Sequence, residues 1–216
     1  MDNTSKFNMK ASFYASARPT YAEDFLKKLY SDFGVSDKSD VADIGSGTGI
    51  FTRQLLQLGC SVYAVEPNDD MRVEAERELA SFKGFHSVNG RAENTGLNDR
   101  SLDFITVAQA FHWFEPFSFK SECARILKPD GKLFLIWNSR DEAAEINVRQ
   151  YELFGKYCPD FKIPSKDTTK SDKRISDFFD GKFVYAEFEN NLLYDRDKFI
   201  SRGLSSSYSP KYGTAG

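Results

Sequence analysis

The residues best suited to chemistry begin with Asp43-Ile44-Gly45-Ser46-Gly47-Thr48-Gly49. Glycines at alternate positions remove three side chains from a short loop, and glycine tolerates positive φ and lets a ligand approach the backbone closely. Asp43 stands two residues before the first of them. A carboxylate at the end of a buried strand needs partners, either the loop's own N–H groups or a cationic group on a ligand. About twenty residues further on, Glu66 closes a second apolar run, where an acid's two acceptor oxygens suit the vicinal diol of a ribose. Ala92 and Glu93 follow a third run. An acid there can accept from an adenine amino group while a neighbouring backbone N–H donates to the ring. The loop Ala108-Gln109-Ala110-Phe111-His112-Trp113-Phe114 then places three large aromatics and a histidine where a connecting segment is ordinarily polar. Ligand sites are mainly apolar with a few placed polar groups, so such a loop either buries itself or lines a pocket.

These residues must be held by alternating strands and helices. Val41 to Ile44 read as the first strand, and Ile50, Leu55 and Leu58 share a face of the helix that follows the glycines. Strand, glycine loop and helix open a nucleotide-type βαβ unit. Ser61 to Val65 form a second strand ending in Glu66-Pro67-Asn68. Asn68 caps a helix with Asp69 and Asp70 in its first turn and Met71, Ala75, Leu79 and Phe82 on its inner face. Met71 either packs in the core or lies under a flat ring. Phe85 to Asn89 and Leu102 to Val107 read as the third and fourth strands. Phe119, Cys123, Ile126 and Leu127 give a helix stopped at Pro129, and Lys132 to Trp137 a fifth strand ending near Arg140. A helix over 141–157 is expected to turn Ile146, Leu153 and Tyr157 inward. Lys182 to Phe188 read as a sixth strand and Arg196 to Leu204 as a short helix; Pro159 to Lys173 read as a loop. Ahead of everything, Phe25, Leu26 and Leu29 form a helix ending near Gly34. The leader before it either packs onto the domain or closes over a pocket as a lid, with Tyr14, Arg18 and Tyr21 touching the ligand.

The chain has 216 residues, a length that fits one α/β domain, 1–216, with a lid and helix over 1–34 and an insert on the substrate side over 139–181. A net charge of −3 argues against a general nucleic-acid binder. Cys60, Cys123 and Cys158 are scattered and lack metal-ligand spacing, so no metal site is expected. The polar first ten residues do not resemble a signal peptide, and no stretch reaches the ~20 apolar residues of a membrane span. The expectation is a cytoplasmic protein, monomeric or weakly dimeric, with no membrane or nucleic-acid partner.

The form Asp43-x-Gly45-x-Gly47-x-Gly49 departs from the dinucleotide fingerprint in its glycine spacing, with Ile50 where that fingerprint continues. It resembles the first motif of the class I S-adenosylmethionine-dependent methyltransferases. The run from Ala108 to Phe114, with Arg125 to Gly131, Leu135 to Asn138 and the N-terminal Tyr14-x-x-x-Arg18-Pro19-x-Tyr21, is similar to the small-molecule branch around trans-aconitate methyltransferase. The resemblance implies a Rossmann-like α/β fold, a mainly parallel sheet flanked by helices. The seventh, antiparallel strand of that family is expected to be missing or truncated, since no convincing strand follows Leu204.

That resemblance further implies S-adenosylmethionine as cofactor and S-adenosylhomocysteine as product. Asp43, Gly45, Ser46 and Gly47 would surround the methionine part, Glu66 would hold the ribose, and Ala92 with Glu93 the adenine, with Pro67 and Met71 also among the cofactor-binding residues. Ala108 and Gln109 would close the methionine side. Phe111, Trp113, Trp137 and Arg140 join Tyr14, Arg18 and Tyr21 as substrate-pocket residues. The reaction is methyl transfer to a small carboxylate, hydroxyl or amine by in-line displacement. A hydroxyl or amine acceptor calls for a base, and His112 is the candidate, the other reading being that it packs within its loop. A carboxylate needs only a cation such as Arg18 or Arg140 to orient it. The alternatives are a binding module for the same cofactor that catalyses nothing, and a nicotinamide-dependent oxidoreductase, against which Asp43, the glycine spacing and the lack of a Tyr/Lys pair argue.

Overall fold

A computed structural model describes residues 18–158, 161 and 172–204. They fall into two compact units, 18–137 with 186–191, and the described residues of 138–185 and 192–204. Tyr14 and most of the expected loop over 159–173 lie outside the described residues.

The first unit is built on five parallel strands, β1 (Asp40–Ile44), β2 (Ser61–Val65), β3 (Phe85–Val88), β4 (Leu102–Ala108) and β5 (Leu127–Ile136), in the order β3-β2-β1-β4-β5. The chain steps outward in one direction from β1 to β3 and returns to the other side at β4. The switch point between β1 and β4 opens a crevice at the carboxyl ends of these strands. Val41, Ala42 and Ile44 are buried, as expected for a central strand covered on both faces. Helices α1 (Glu23–Phe33), α2 (Ile50–Gln57), α3 (Asp69–Leu79) and α4 (Pro116–Ile126) connect and flank the strands. Leu29 of α1 and Phe51 and Leu55 of α2 enter one core with Val62 and Leu79. Burial of each such side chain contributes ~1.5–3 kcal/mol. Tyr21 joins that core rather than an open pocket. Its ring meets Phe51 edge-on at 4.9 Å, and Gln54 both accepts its N–H at 2.9 Å and donates to its carbonyl at 3.0 Å. Asn190 donates to Thr20 O at 2.8 Å and Phe188 lies 5.6 Å from Phe25, which places 186–191 against the start of α1.

Three expectations change. The helix before β5 ends at Ile126, and β5 runs through Pro129-Asp130-Gly131 with four residues looped out opposite Asp103. Lys128 fastens that bulge, its ammonium 2.8 Å from Asp103 Oδ1. The expected sixth strand, Lys182 to Phe188, is absent: among the described residues, 182–195 pair with no strand, and Val184 is 87% exposed. An apolar run suits a strand, but a strand exists only where a neighbour supplies its hydrogen bonds.

In the second unit, α5 (Glu145–Tyr157) buries Gln150 and Tyr151 and leaves Ile146, Leu153 and Tyr157 more than half exposed, the reverse of the expected face. Helical spacing groups residues on a stripe without saying which stripe is covered. Here Phe161 settles the matter, with its ring 5.9 Å from Tyr151 and 5.5 Å from Phe154. Two short helices, α6 (Lys173–Phe178) and α7 (Arg196–Leu204), complete this unit. Among the described residues no helix is long and apolar enough to cross a membrane.

Candidate active site

The glycine loop leaves β1 in a tight path. Gly45, Gly47 and Gly49 have φ of 70°, 56° and 81°. Gly45 has a second reason to be glycine: a Cβ there would lie 2.6 Å from Ala110 Cβ and 3.2 Å from the Phe114 ring. The aromatic loop after β4 therefore rests directly on the glycine loop after β1, which closes one wall of the crevice. The amides of Gly45 and Ser46 both donate to Val65 O, at 2.8 and 3.2 Å, locking the loop to the end of β2.

Asp43 lies beneath this loop. It is buried, and both its oxygens accept threonine hydroxyls, Thr52 Oγ1 at 2.6 Å and Thr106 Oγ1 at 2.9 Å. Burial pushes its carboxyl up to about 6, against the pull of the two threonine bonds. Asp43 thus braces β1, β4 and the first turn of α2 from inside the fold. Glu66 faces the loop from the end of β2. Its Oε2 accepts from Gly47 N–H at 2.9 Å and its Oε1 from Asn68 N–H at 2.8 Å. Burial raises its pKa, opposed by those two bonds and by the Arg72 charge. Each oxygen keeps a second lone pair for a hydroxyl donor. Asn68 caps α3 by accepting from Met71 N–H at 3.0 Å, and the Met71 sulfur sits 3.7 Å from where a Gly47 Cβ would be. Pro67 is the link between Glu66 and that cap.

After β3, Arg91 and Asn94 exchange backbone hydrogen bonds at 3.1 Å, so Ala92 and Glu93 occupy the tip of a tight turn. Ala92 is buried, and Glu93 Oε1 accepts from Glu115 N–H at 2.8 Å. At the end of β4, Ala108 pairs with Ile136, and Gln109 adopts a left-handed φ of 60° while donating its N–H to Ile136 O at 2.9 Å. A glutamine in that region is strained, and such strain gathers where geometry is held for a purpose.

A short 3-10 turn, Phe111–Trp113, follows. Phe111 is buried, and Phe111, Phe114 and Phe119 pack together, with Phe114 and Phe119 edge-on at 4.9 Å and Trp137 6.4 Å from Phe111. Phe111 is thus an anchor of the turn, while His112 is exposed and Trp113 is 46% exposed, with their rings 4.7 Å apart. Arg18 is exposed at the start of the described chain. Arg140 belongs to the second unit, where it donates to Gln150 Oε1 at 2.8 Å. His86 is structural: it stacks on Tyr63 at 4.7 Å, with Ser61 Oγ 3.2 Å from its Nε2.

The crevice has unmet polar capacity. Among the described residues, the buried hydroxyls of Ser46 and Thr48 have no partner, and Thr48 is 5% exposed. Buried polar groups are normally satisfied, so two orphans in one glycine loop mark a place for a polar ligand. They lie at the N-terminus of α2, which favours a negative group. Thr48, Thr52, Thr106 and Glu115 were not singled out from the sequence. Thr48 stood inside the motif, whereas the threonines that hold Asp43 come from a helix and from a strand 63 residues away.

Comparisons with known proteins bear on the fold that carries these residues. Residues 42–135 match the family described as Methyltransferase domain. An uncharacterized methyltransferase of Mycobacterium tuberculosis is 36% identical over 141 residues, covering 65% of this chain and 55% of the relative. An uncharacterized methyltransferase-like protein of Schizosaccharomyces pombe is 31% identical over 159 residues, 71% of this chain and 59% of its own length. The chain therefore spans little more than half the length of these curated relatives. Among solved structures, a protein from Anaeromyxobacter dehalogenans assigned to the type II methyltransferases superposes with a TM-score of 0.62 at 23% identity, over 87% of this chain and 78% of that one. A SAM-dependent methyltransferase from Aquifex aeolicus gives 0.51 at 24% identity, over 71% and 85%. The fold is the α/β, Rossmann-like one that these methyltransferase structures share. Residues 42–135 are similar to the methyltransferase domain of that family model, and the likeness to the solved structures is one of fold.

Proposed function

We propose that this chain transfers a methyl group from S-adenosylmethionine to a small-molecule acceptor by in-line displacement. The observation that carries this reading is the bond from Gly47 N–H to Glu66 Oε2, which sets a carboxylate with spare acceptor capacity at the end of β2, against the glycine loop that holds the partnerless Ser46 and Thr48 hydroxyls. Glu66, Pro67 and Met71 would border the ribose, and Ala92 with Glu93 the adenine. Gly45, Ser46, Gly47 and Thr48 would hold the methionine end, with Asp43 fixing the loop beneath and Ala108 and Gln109 closing the side. When bound, the cofactor supplies a methyl carbon activated by the positive charge on its sulfur.

The rest is positioning. Alignment of acceptor and methyl carbon can contribute ~7–11 kcal/mol. The half-exposed Trp113 ring offers a π face to a sulfonium and an apolar wall to the acceptor. The exposed His112 on the same turn takes the proton from a hydroxyl or amine. A carboxylate has none to lose, and Arg18 would orient it. The aromatic loop and the N-terminal motif support the small-molecule branch that resembles trans-aconitate methyltransferase. The net charge of −3 supports a small acceptor over nucleic acid, and we take the reaction to be cytoplasmic, in a monomer or weak homodimer.

Calorimetry against S-adenosylmethionine, S-adenosylhomocysteine and NADH tests the cofactor. Binding of NADH and of neither sulfur compound overturns the reading. A radiolabelled methyl-transfer screen over carboxylic acids, phenols and amines then separates an enzyme from a binding module.

A further inference from the structure

The turn after β3 and the loop after β4 are tied together through α4 at two places. Glu93 Oε1 accepts from Glu115 N–H at 2.8 Å. Glu115 ends the aromatic loop and caps α4, its own carboxylate accepting from Phe117 N–H at 3.2 Å and Ser118 N–H at 2.8 Å. Further along the helix, the buried Glu122 accepts from the N–H of Thr95 at 2.8 Å and from its hydroxyl, and from Arg125 Nε at 2.8 Å. Arg125 in turn donates to Leu97 O at 2.8 Å and Asp99 Oδ1 at 2.6 Å. The 91–99 segment and α4 form one hydrogen-bonded body, and the turn that carries His112 and Trp113 hangs from its Glu115 end, anchored by Phe114 on Phe119. Glu93 Oε2 makes no hydrogen bond among the described residues, although the residue is only partly exposed.

We propose that Glu93 is a positioning residue that couples occupation of the adenine side to the aromatic turn. One carboxylate oxygen receives the adenine amino group while the other holds Glu115, so cofactor binding fixes the turn before the acceptor arrives. This rests on the assignment of Glu93 to the adenine under the proposed function. A carboxylate held at one oxygen still swivels, and one held at both does not. Freedom removed from the turn by the cofactor is freedom the acceptor no longer has to remove, so binding is ordered, cofactor first.

The test is hydrogen exchange of the full chain, with and without S-adenosylhomocysteine, after calorimetry has fixed a saturating concentration for each variant. In the wild type the ligand slows exchange over residues 110–118 about tenfold, the order set by one hydrogen bond to a charged acceptor. In Glu93→Ala the stretch exchanges about tenfold faster without ligand, and saturating ligand does not slow it. Glu93→Gln keeps an oxygen for Glu115 N–H and so keeps the wild-type rate without ligand. Its amide nitrogen meets the adenine amino group donor to donor, and the ligand-induced slowing is lost; this variant carries the test if the alanine variant does not fold. Binding by the wild type without any change over 110–118 overturns the coupling alone, as does full slowing retained in either variant. No binding by the wild type overturns the assignment of the site, and the coupling with it.

Discussion

Replacing Asp43 by asparagine removes one titrating proton from the centre of the molecule and leaves its shape nearly unchanged. Burial lifts the Asp43 carboxyl from 3.8 to about 6, with the Thr52 and Thr106 hydroxyls pulling it back and the Glu66 charge lifting it further. The folded value lies above the unfolded one, so the folded state holds the proton more tightly. The resulting stabilisation is complete below about 3.8 and is lost as pH rises through about 6. At 1.36 kcal/mol for each tenfold in proton affinity, the whole effect is about 3 kcal/mol. About 2 kcal/mol of it falls between pH 4.5 and 7.5. Asparagine has no such proton; its amide oxygen accepts from one threonine and its nitrogen donates to the other. Urea unfolding of Asp43→Asn and wild type across this range is therefore expected to show a difference that moves toward the variant by about 2 kcal/mol as pH rises. Taking the difference cancels carboxylates displaced the other way, among them Asp103 and Glu122. A flat difference refutes the burial argument. A difference that moves toward the wild type shows that Asp43 is ionised and charge-paired in the fold.

Other perturbations probe the remaining parts of the site. Glu66→Gln leaves one oxygen for two backbone N–H donors and a ribose diol, and calorimetry with S-adenosylhomocysteine should record a loss of about 10- to 100-fold; an affinity within twofold of wild type would exclude the ribose role. Gly45→Ala drives a methyl into Ala110 at a φ of 70°, costing roughly 2–4 kcal/mol in unfolding experiments, and a variant of unchanged stability would show that the two loops do not rest on each other. His112→Ala should lower turnover on a hydroxyl or amine acceptor by about 10²- to 10⁴-fold while cofactor affinity holds; undiminished turnover leaves His112 only its packing against Trp113.

Periodicity and turn chemistry carried far. The strand before the glycines, the Asn68 cap and the apolar face of α2 are local properties, set by neighbours in the chain, and five parallel strands with their switch point follow from that order. Where a decision depended on a partner distant in sequence, the pattern was silent or misleading. The stripe of Ile146, Leu153 and Tyr157 has helical spacing and faces solvent, and the apolar run from Lys182 to Phe188 pairs with no strand among the described residues. Tyr21 and Phe111, both plausible ligand contacts by type, are drawn into the core by Phe51, Gln54 and Phe119.

The same division runs through the site. The sequence alone determined that a glycine loop, an acid twenty-one residues after its first glycine and an aromatic loop would meet at one edge of a parallel sheet, because right-handed strand–helix–strand units deliver consecutive strand ends to one side. Only the tertiary structure decided what each group does there. It assigned Asp43 to two threonines inside the fold, set Phe114 over Gly45, left the Ser46 and Thr48 hydroxyls without partners among the described residues, and fastened Glu93 to the helix that carries the aromatic turn. Hydrogen bonds and contacts of a few ångströms between residues tens of positions apart are fixed by packing, and no local pattern encodes them.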